Sequence, residues 1–253
     1  MACEDLLGWG NLVGGATLEL LRRLGYDAVG YDIDKRKSEV EELPVADIYF
    51  VCTPETVVEE VVSSLPDSEF VVVRSTVPPG TTRRLMAKFK RHVSHLPEFL
   101  REATALYDAL RPSRIVIGEC CKKHGDLLEE IFGRLYAPIV RVDPTTSEMI
   151  KLASNAFLAT AISFWNEIHL ICRRLGVNSH VVGRAAAMDP RIPDYGAVQH
   201  GRPYGGRCLP KDVRQLLKLC EELGYEPRVL KAVHELNEAM SHESVSSSGW
   251  PRD

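Results

Sequence analysis

The stretch Leu6–Asp34, LLGWGNLVGGATLELLRRLGYDAVGYDID, decides the fold. It gives, in order, a strand end, a glycine-rich turn, a helix, a second strand and an acidic residue. Gly8, Gly10 and Gly14 let the backbone pass close to a pyrophosphate, whose charge is favoured at the following helix N-terminus. Asp32 closes the second strand, 22 residues beyond Gly10, which suits a hydrogen bond to an adenosine ribose. An Asp there favours NAD over NADP, because a 2′-phosphate would meet its charge. The spacing is GxGxxxG, one residue longer than the usual fingerprint, and only MACEDLL precedes the glycines. A glycine turn without a ligand is the plainer alternative.

Outward from this stretch, compact Val/Ile-rich runs alternate with amphipathic segments. DAVGYDI, ADIYFVC, EFVVVRS, SRIVIGE and APIVRVD have the character of strands buried on both faces. TVVEEVVSSL, TTRRLMAKFKR and DLLEEIFGRLY lie between them as helices. The alternation predicts an α/β fold: a Rossmann-type, doubly wound parallel sheet over residues 1–143. After Asp143-Pro144 the strands stop. A run opening on Thr145-x-x-Glu148, a capping-box pattern, continues to Gly176 and predicts one helix about 45 Å long. It is apolar over much of its circumference, as expected for burial on several sides, including against another subunit. Shorter helices follow near 179–188, 210–223 and 227–240. The second domain is therefore helical, over 144–241, and the Ser-rich residues 242–253 read as a flexible tail.

The 253 residues are 45% hydrophobic and 26% charged, with a net charge of −4 and mean hydropathy of −0.11. That balance gives no electrostatic case for nucleic acid or an anionic membrane as partner. No apolar run approaches the roughly 18 residues of a membrane span, and the N-terminus is acidic where a signal peptide would be basic. Seven cysteines in no regular framework suit a reducing, cytoplasmic setting. CCKKH at 120–124 and HVSH at 92–95 each lack a complete four-ligand spacing, so no metal site is expected.

The chemistry concentrates in PYGGRCLPKD, 203–212. Pro210 suits the first position of a helix, which puts Cys208 at or just before that helix's N-terminus, where the dipole favours thiolate. Lys211 adds a cation, and Gly205 and Gly206 leave room for a substrate carbon to approach the sulfur. Lys151 and Asn155, four residues apart, share one face of the long helix. Glu98 and Glu102 are also four apart, a spacing that a surface carboxylate pair would share. Thr76, in STVP, follows a strand toward the expected cofactor cleft, with turn capping as the alternative. Thr53 and Pro54, after ADIYFVC, are further candidates to line that cleft.

RSTVPPGTT (74–82), LPEFLREATALYD (96–108), RIVIGE (114–119), SEMIKLASNAFLATAISFWNEI (147–168) and PYGGRCLPKD occur in this order. Together they resemble the UDP-glucose/GDP-mannose dehydrogenase family, over nearly all of residues 6–240. The resemblance implies NAD-dependent oxidation of a nucleotide sugar's C6 alcohol to a carboxylate, with two NAD per turnover. A thiohemiacetal and then a thioester would form on Cys208. It further implies that Lys151 and Asn155 stabilise the reacting oxygen, that Glu98 lies near the substrate, and that Glu102 positions the hydrolytic water. Asp212 would join the proton-transfer network. Arg191 would reach the substrate of a homodimer partner across the long helix; without a dimer it is a surface charge. The chain departs from the family in three ways: it stops where a nucleotide-sugar-binding domain would follow, its segment from Asp34 to Asp47 is short, and Arg207 precedes the cysteine. A weakly active or inactive NAD-binding member, or a fragment needing a partner chain, is one alternative. A small hydroxy-acid dehydrogenase is another, which would need no catalytic cysteine.

Overall fold

A computed structural model describes residues 4–7, 12–67 and 70–246; Gly8, Gly10 and residues 247–253 lie outside that set. The first part runs β1 (Glu4–Leu7), α1 (Leu12–Arg23), β2 (Ala28–Tyr31), β3 (Ile48–Val51), α2 (Val58–Ser64), β4 (Phe70–Val73) and α3 (Thr81–Phe89). It continues through β5 (His92–His95), α4 (Ala105–Leu110), β6 (Ile115–Gly118), α5 (Lys122–Phe132) and β7 (Ile139–Val142). Four helices follow: α6 (Pro144–Leu175), α7 (Ser179–Ala186), α8 (Leu209–Glu222) and α9 (Arg228–Ser246).

The strands form one sheet in the order β2-β1-β3-β4-β5-β6-β7. Every neighbouring pair is parallel except β5 and β6, which meet antiparallel at the single pairing His95↔Gly118. The alternation of side chains sorts the apolar residues onto two faces. Ile48, Phe50 and Val72 pack with Leu20, Ala109 and Leu128, from α1, α4 and α5. Tyr49, Val51 and Val71 face the other way, against Val62 of α2 and Leu85 of α3. The sheet is therefore doubly wound, as its sequence alternation predicts. The antiparallel junction and the strand HVSH were not foreseen, because β5 alternates polar residues and lacks the Val/Ile signature of a buried strand.

The chain divides into two compact units, Met1–Lys151 and Leu152–Asp253. The break falls inside α6, beyond the expected boundary at 143/144, because the first two turns of α6 are fixed to the sheet. Ser147 Oγ lies 2.8 Å from His95 Nδ1. The carboxylate of Glu148 accepts from Gly80 N at 2.5 Å, Thr82 N at 2.7 Å and Thr82 Oγ1 at 2.6 Å. The expected capping box is therefore corrected. Glu148 caps the N-terminus of α3, while Asp143 caps α6 by accepting from Thr145 N at 3.1 Å. Close approach of α6 also dictates Gly118, where a Cβ would stand 2.6 Å from Ser147 Cβ and 2.9 Å from Pro144 Cα.

In the second unit, α6 packs on α8 and α9 through Ala159, Val213 and Val233, and through Leu152, Ala156 and Leu216. Helix α9 runs on to Ser246. The tail expected from residue 242 is thus helical for its first five residues, and the remainder lies outside the described set. No helix among the described residues is long and apolar enough to cross a membrane.

Candidate active site

In the first unit, β2, β1, β3 and β4 end side by side, and the chain winds in opposite directions from β1 and β3. Such a switch point leaves a crevice at the carboxyl ends of the strands, where dinucleotides bind. Gly14 is buried in the first turn of α1, and Asp32 follows β2 half-buried. Asp32 Oδ1 accepts from Asp34 N at 2.9 Å, and no hydrogen bond to Oδ2 occurs among the described residues. After β3, Thr53 keeps a buried Oγ1 without a partner among the described residues, and Pro54 is exposed. Thr76 follows β4, half-buried. A buried hydroxyl with no partner costs free energy that a bound ligand could recover. The residues present fit NAD.

Beyond β5, Glu98 and Lys151 form a buried pair, 8% and 3% exposed. Lys151 Nζ donates to Glu98 O at 2.6 Å and to Oε1 at 3.1 Å, and Glu98 Oε2 accepts from Leu100 N at 2.7 Å. Glu102 is exposed in a short 3-10 turn, Glu102–Thr104. The stretch between them is not helical, so their four-residue spacing does not place them on one helix face. Arg101 holds this loop by a two-pronged bond to Asp108 and keeps the Asp108 carboxyl well below the usual carboxylate range. Glu98 and Arg74 line a cavity of about 280 Å³ together with Phe99, Arg101, Arg114 and Phe132. Arg74, at the exit of β4, is 6% exposed, lies over the Phe132 ring at 5.8 Å, and leaves Nε without a partner among the described residues.

In the second unit, Cys208 is exposed and occupies the N-cap position of α8. Pro210 is the second helical residue, one later than its fit to the first position suggested. A Cβ at Gly205 or Gly206 would meet nothing within 4 Å, and Gly206 has φ +74. The space beside these two glycines is thus open, and only glycine adopts the φ of Gly206 without strain. Two asparagine amides fix the loop. Asn166 accepts from Gly201 N and donates to Arg202 O, both at 2.7 Å. Asn237 accepts from Tyr204 N at 2.7 Å and donates to Tyr204 O at 3.2 Å.

One turn into α8, Asp212 is 1% exposed. Asn155 Nδ2 donates to its Oδ2 at 2.5 Å. Lys211 Nζ lies 2.7 Å from Oδ1, an ion-pair contact outside hydrogen-bond geometry. Lys211 thus directs its charge to Asp212. Arg191 is exposed and pairs with Asp189 through Nε and Nη2, at 2.5 to 3.1 Å.

Sequence reasoning missed Arg74, Asn166, Asn237 and Gln215. Gln215 follows Cys208 by seven residues and Asp212 by three, so all three share a helix face. Both its amide atoms are buried without a partner among the described residues, and that spacing was the available signal. The expectation of no metal site weighed HVSH and CCKKH separately. Folding brings His92, Cys120, Cys121 and His124 together, with donor atoms all within 4.8 Å of one another.

Residues 44–138 match the NAD binding domain of the UDP-glucose/GDP-mannose dehydrogenase family, and residues 145–239 match its central domain. The UDP-glucose 6-dehydrogenase YwqF of Bacillus subtilis is 40% identical over 175 residues, 66% of this chain and 40% of its own. The UDP-glucose 6-dehydrogenase of Pseudomonas aeruginosa is 37% identical over 199 residues, 72% of this chain and 43% of its own. The solved structure of a UDP-glucose dehydrogenase from Pyrobaculum islandicum superposes with a TM-score of 0.86 at 30% identity, covering 97% of this chain and 70% of that one. The chain thus spans about two fifths of the length of these two curated relatives.

Proposed function

The chain belongs to the UDP-glucose/GDP-mannose dehydrogenase family, and on that premise we propose that it oxidises the C6 alcohol of a nucleotide sugar to a carboxylate. Asp32, Gly14, Thr53, Pro54 and Thr76, with Gly8 and Gly10, hold the cofactor. Bound NAD⁺ supplies the hydride acceptor, twice per turnover. The observation that carries this reading is Cys208, an exposed thiol at the N-terminus of a 14-residue helix, one turn from the buried Asn155–Asp212 pair, which the half-exposed Lys211 joins.

The aldehyde formed in the first oxidation accepts the Cys208 thiolate and becomes a thiohemiacetal. Loss of a second hydride makes the thioester, and water cleaves it to carboxylate and thiol. Asn155 and Lys151 stabilise the negative charge on the reacting oxygen, with Lys151 oriented by its pair with Glu98. Asp212 takes part in the proton transfers and Glu102 positions the water. Gly205 and Gly206 admit the sugar carbon, while Lys211, Glu98 and Arg191 bind substrate. A homodimer through α6 is supported by the exposed Phe157, Phe164 and Ile171, which recur every seven residues along that helix. A cytoplasmic setting suits six cysteines with no disulfide among the described residues.

The test is NADH formation by the full chain with UDP-glucose, GDP-mannose and UDP-N-acetyl sugars, beside Cys208→Ala. Two NADH per sugar from the wild type, abolished in the variant, is the expected result. Turnover that survives in Cys208→Ala would remove the thioester route. No turnover with any sugar and no binding of NAD⁺ would favour an inactive member of the family.

A further inference from the structure

We propose that His92, Cys120, Cys121 and His124 form a four-ligand site for a single zinc ion, which fastens β5 to the turn between β6 and α5. The antiparallel junction creates it. With His95 opposite Gly118, three more residues back along β5 bring His92 level with Cys121. His124 completes the set from the first turn of α5, where it lies on the side of the two thiols.

The distances suit a tetrahedron. Zinc binds sulfur at about 2.3 Å and imidazole nitrogen at about 2.0–2.1 Å, so a regular site has S···N edges near 3.6 Å and an S···S edge near 3.8 Å. Here Cys120 Sγ lies 3.7 Å from His92 Nδ1 and 3.2 Å from His124 Nδ1. Cys121 Sγ lies 3.3 Å from His124 Nδ1, and the two sulfurs are 4.0 Å apart. A vicinal disulfide would need them at about 2.0 Å.

Packing fixes the ligands in advance. The His124 ring, 2% exposed, stacks on Phe70 with centroids 4.1 Å apart, and the His92 ring meets it edge-on at 4.7 Å. Cys120 N donates to Ser94 Oγ at 3.1 Å, which ties the thiol-bearing turn to β5. His92 is exposed, so an ion can enter. Two thiolates and two neutral imidazoles cancel the charge of Zn²⁺, and they select a borderline-soft cation over magnesium or calcium. Binding releases one proton from each thiol and changes no oxidation state.

The site lies on the amino-terminal edge of the sheet, where His92 pairs with Phe70. The cofactor crevice opens at the carboxyl ends of the strands. The ion is therefore a staple at the junction held by one strand pairing, at the opposite end of the strands from the cofactor crevice, and the inference is independent of the proposed reaction.

The test titrates reduced, metal-free full chain with Co²⁺ alone, then displaces it with Zn²⁺. One equivalent should bind, with thiolate-to-cobalt charge-transfer absorption and the intense visible bands of a tetrahedral ion. His92→Ala, at the exposed edge and least able to disturb folding, should weaken binding at least about tenfold. Cys120→Ser/Cys121→Ser should abolish the charge-transfer band, and Cys208→Ala should leave it intact. Zn²⁺ should raise the melting temperature of the wild type and not of the double variant. A spectrum without thiolate bands, one that persists in the double variant, or a Cys120–Cys121 disulfide in place of metal uptake would overturn the proposal.

Discussion

Two polar clusters begin one turn apart on α6 and differ in how they are closed. Lys151 meets Glu98 in a pair whose charged atoms are almost wholly buried, with backbone groups completing the bonding. Asn155 meets Asp212, which is as deeply buried, yet this cluster includes the half-exposed Lys211 and sits at the start of a helix whose N-cap is the exposed Cys208. A closed pair holds geometry and resists change. A cluster with one open side is suited to exchanging protons with a ligand. The first should therefore answer to mutation in stability as well as in rate, and the second mainly in rate.

Lys151→Met should show the largest loss, because it leaves the Glu98 carboxylate buried without its cation. We expect about 3–5 kcal/mol of destabilisation, read by urea unfolding; a change below about 1 kcal/mol would mean that the pair is not closed. Asp212→Asn keeps the shape of its cluster and removes the charge. It should slow NADH formation about 100-fold, or ~2.7 kcal/mol in the barrier, with little change in melting temperature. The reverse pattern, stability lost and rate kept, would erase the distinction between the clusters.

A pH measurement sharpens the closed side. His95 is fully buried beside Ser147, and burial lowers its pKa from 6.5 to about 3. Between those values the unfolded chain holds a proton that the folded chain refuses. The contribution of this neutral histidine is therefore complete above pH 6.5 and is lost as pH falls, by up to about 1.4 kcal/mol per pH unit. The pH slope of stability between 4 and 6 should be shallower in His95→Asn by about that amount, and equal slopes would contradict it. Smallest of all, Asp32→Ala should weaken NAD⁺ binding about tenfold, or ~1.4 kcal/mol, measured by calorimetry. Unchanged affinity would move the ribose contact elsewhere.

Much of this was legible in the chain, for reasons that differ from residue to residue. The helix after Asp143 announced itself because an apolar period without Gly or Pro runs to Leu175. Cys208 did so because Gly-Gly and Leu-Pro flank it at a helix start. The Thr145–Glu148 capping box misled because a carboxylate at that spacing serves equally well to cap a different helix, and only packing chose α3. Strand β5 was illegible because HVSH carries no strand signature, being buried by its neighbours and not by its own hydrophobicity.

By itself, then, the sequence determined most of the local order: most of the strands, though not that the edge strands β2 and β7 are only partly buried, where glycines open a turn, and which cysteine stands at a helix N-terminus. These follow from periodicity and from the fixed preferences of Gly, Pro and capping residues, which act over a few positions. Tertiary structure alone decided that β5 and β6 run antiparallel, that Glu98 meets Lys151 and Asn155 meets Asp212, and that His92 joins Cys120, Cys121 and His124. Those meetings join residues tens of positions apart, and the pairing of strands and the packing of helices, which no local preference encodes, set their distances.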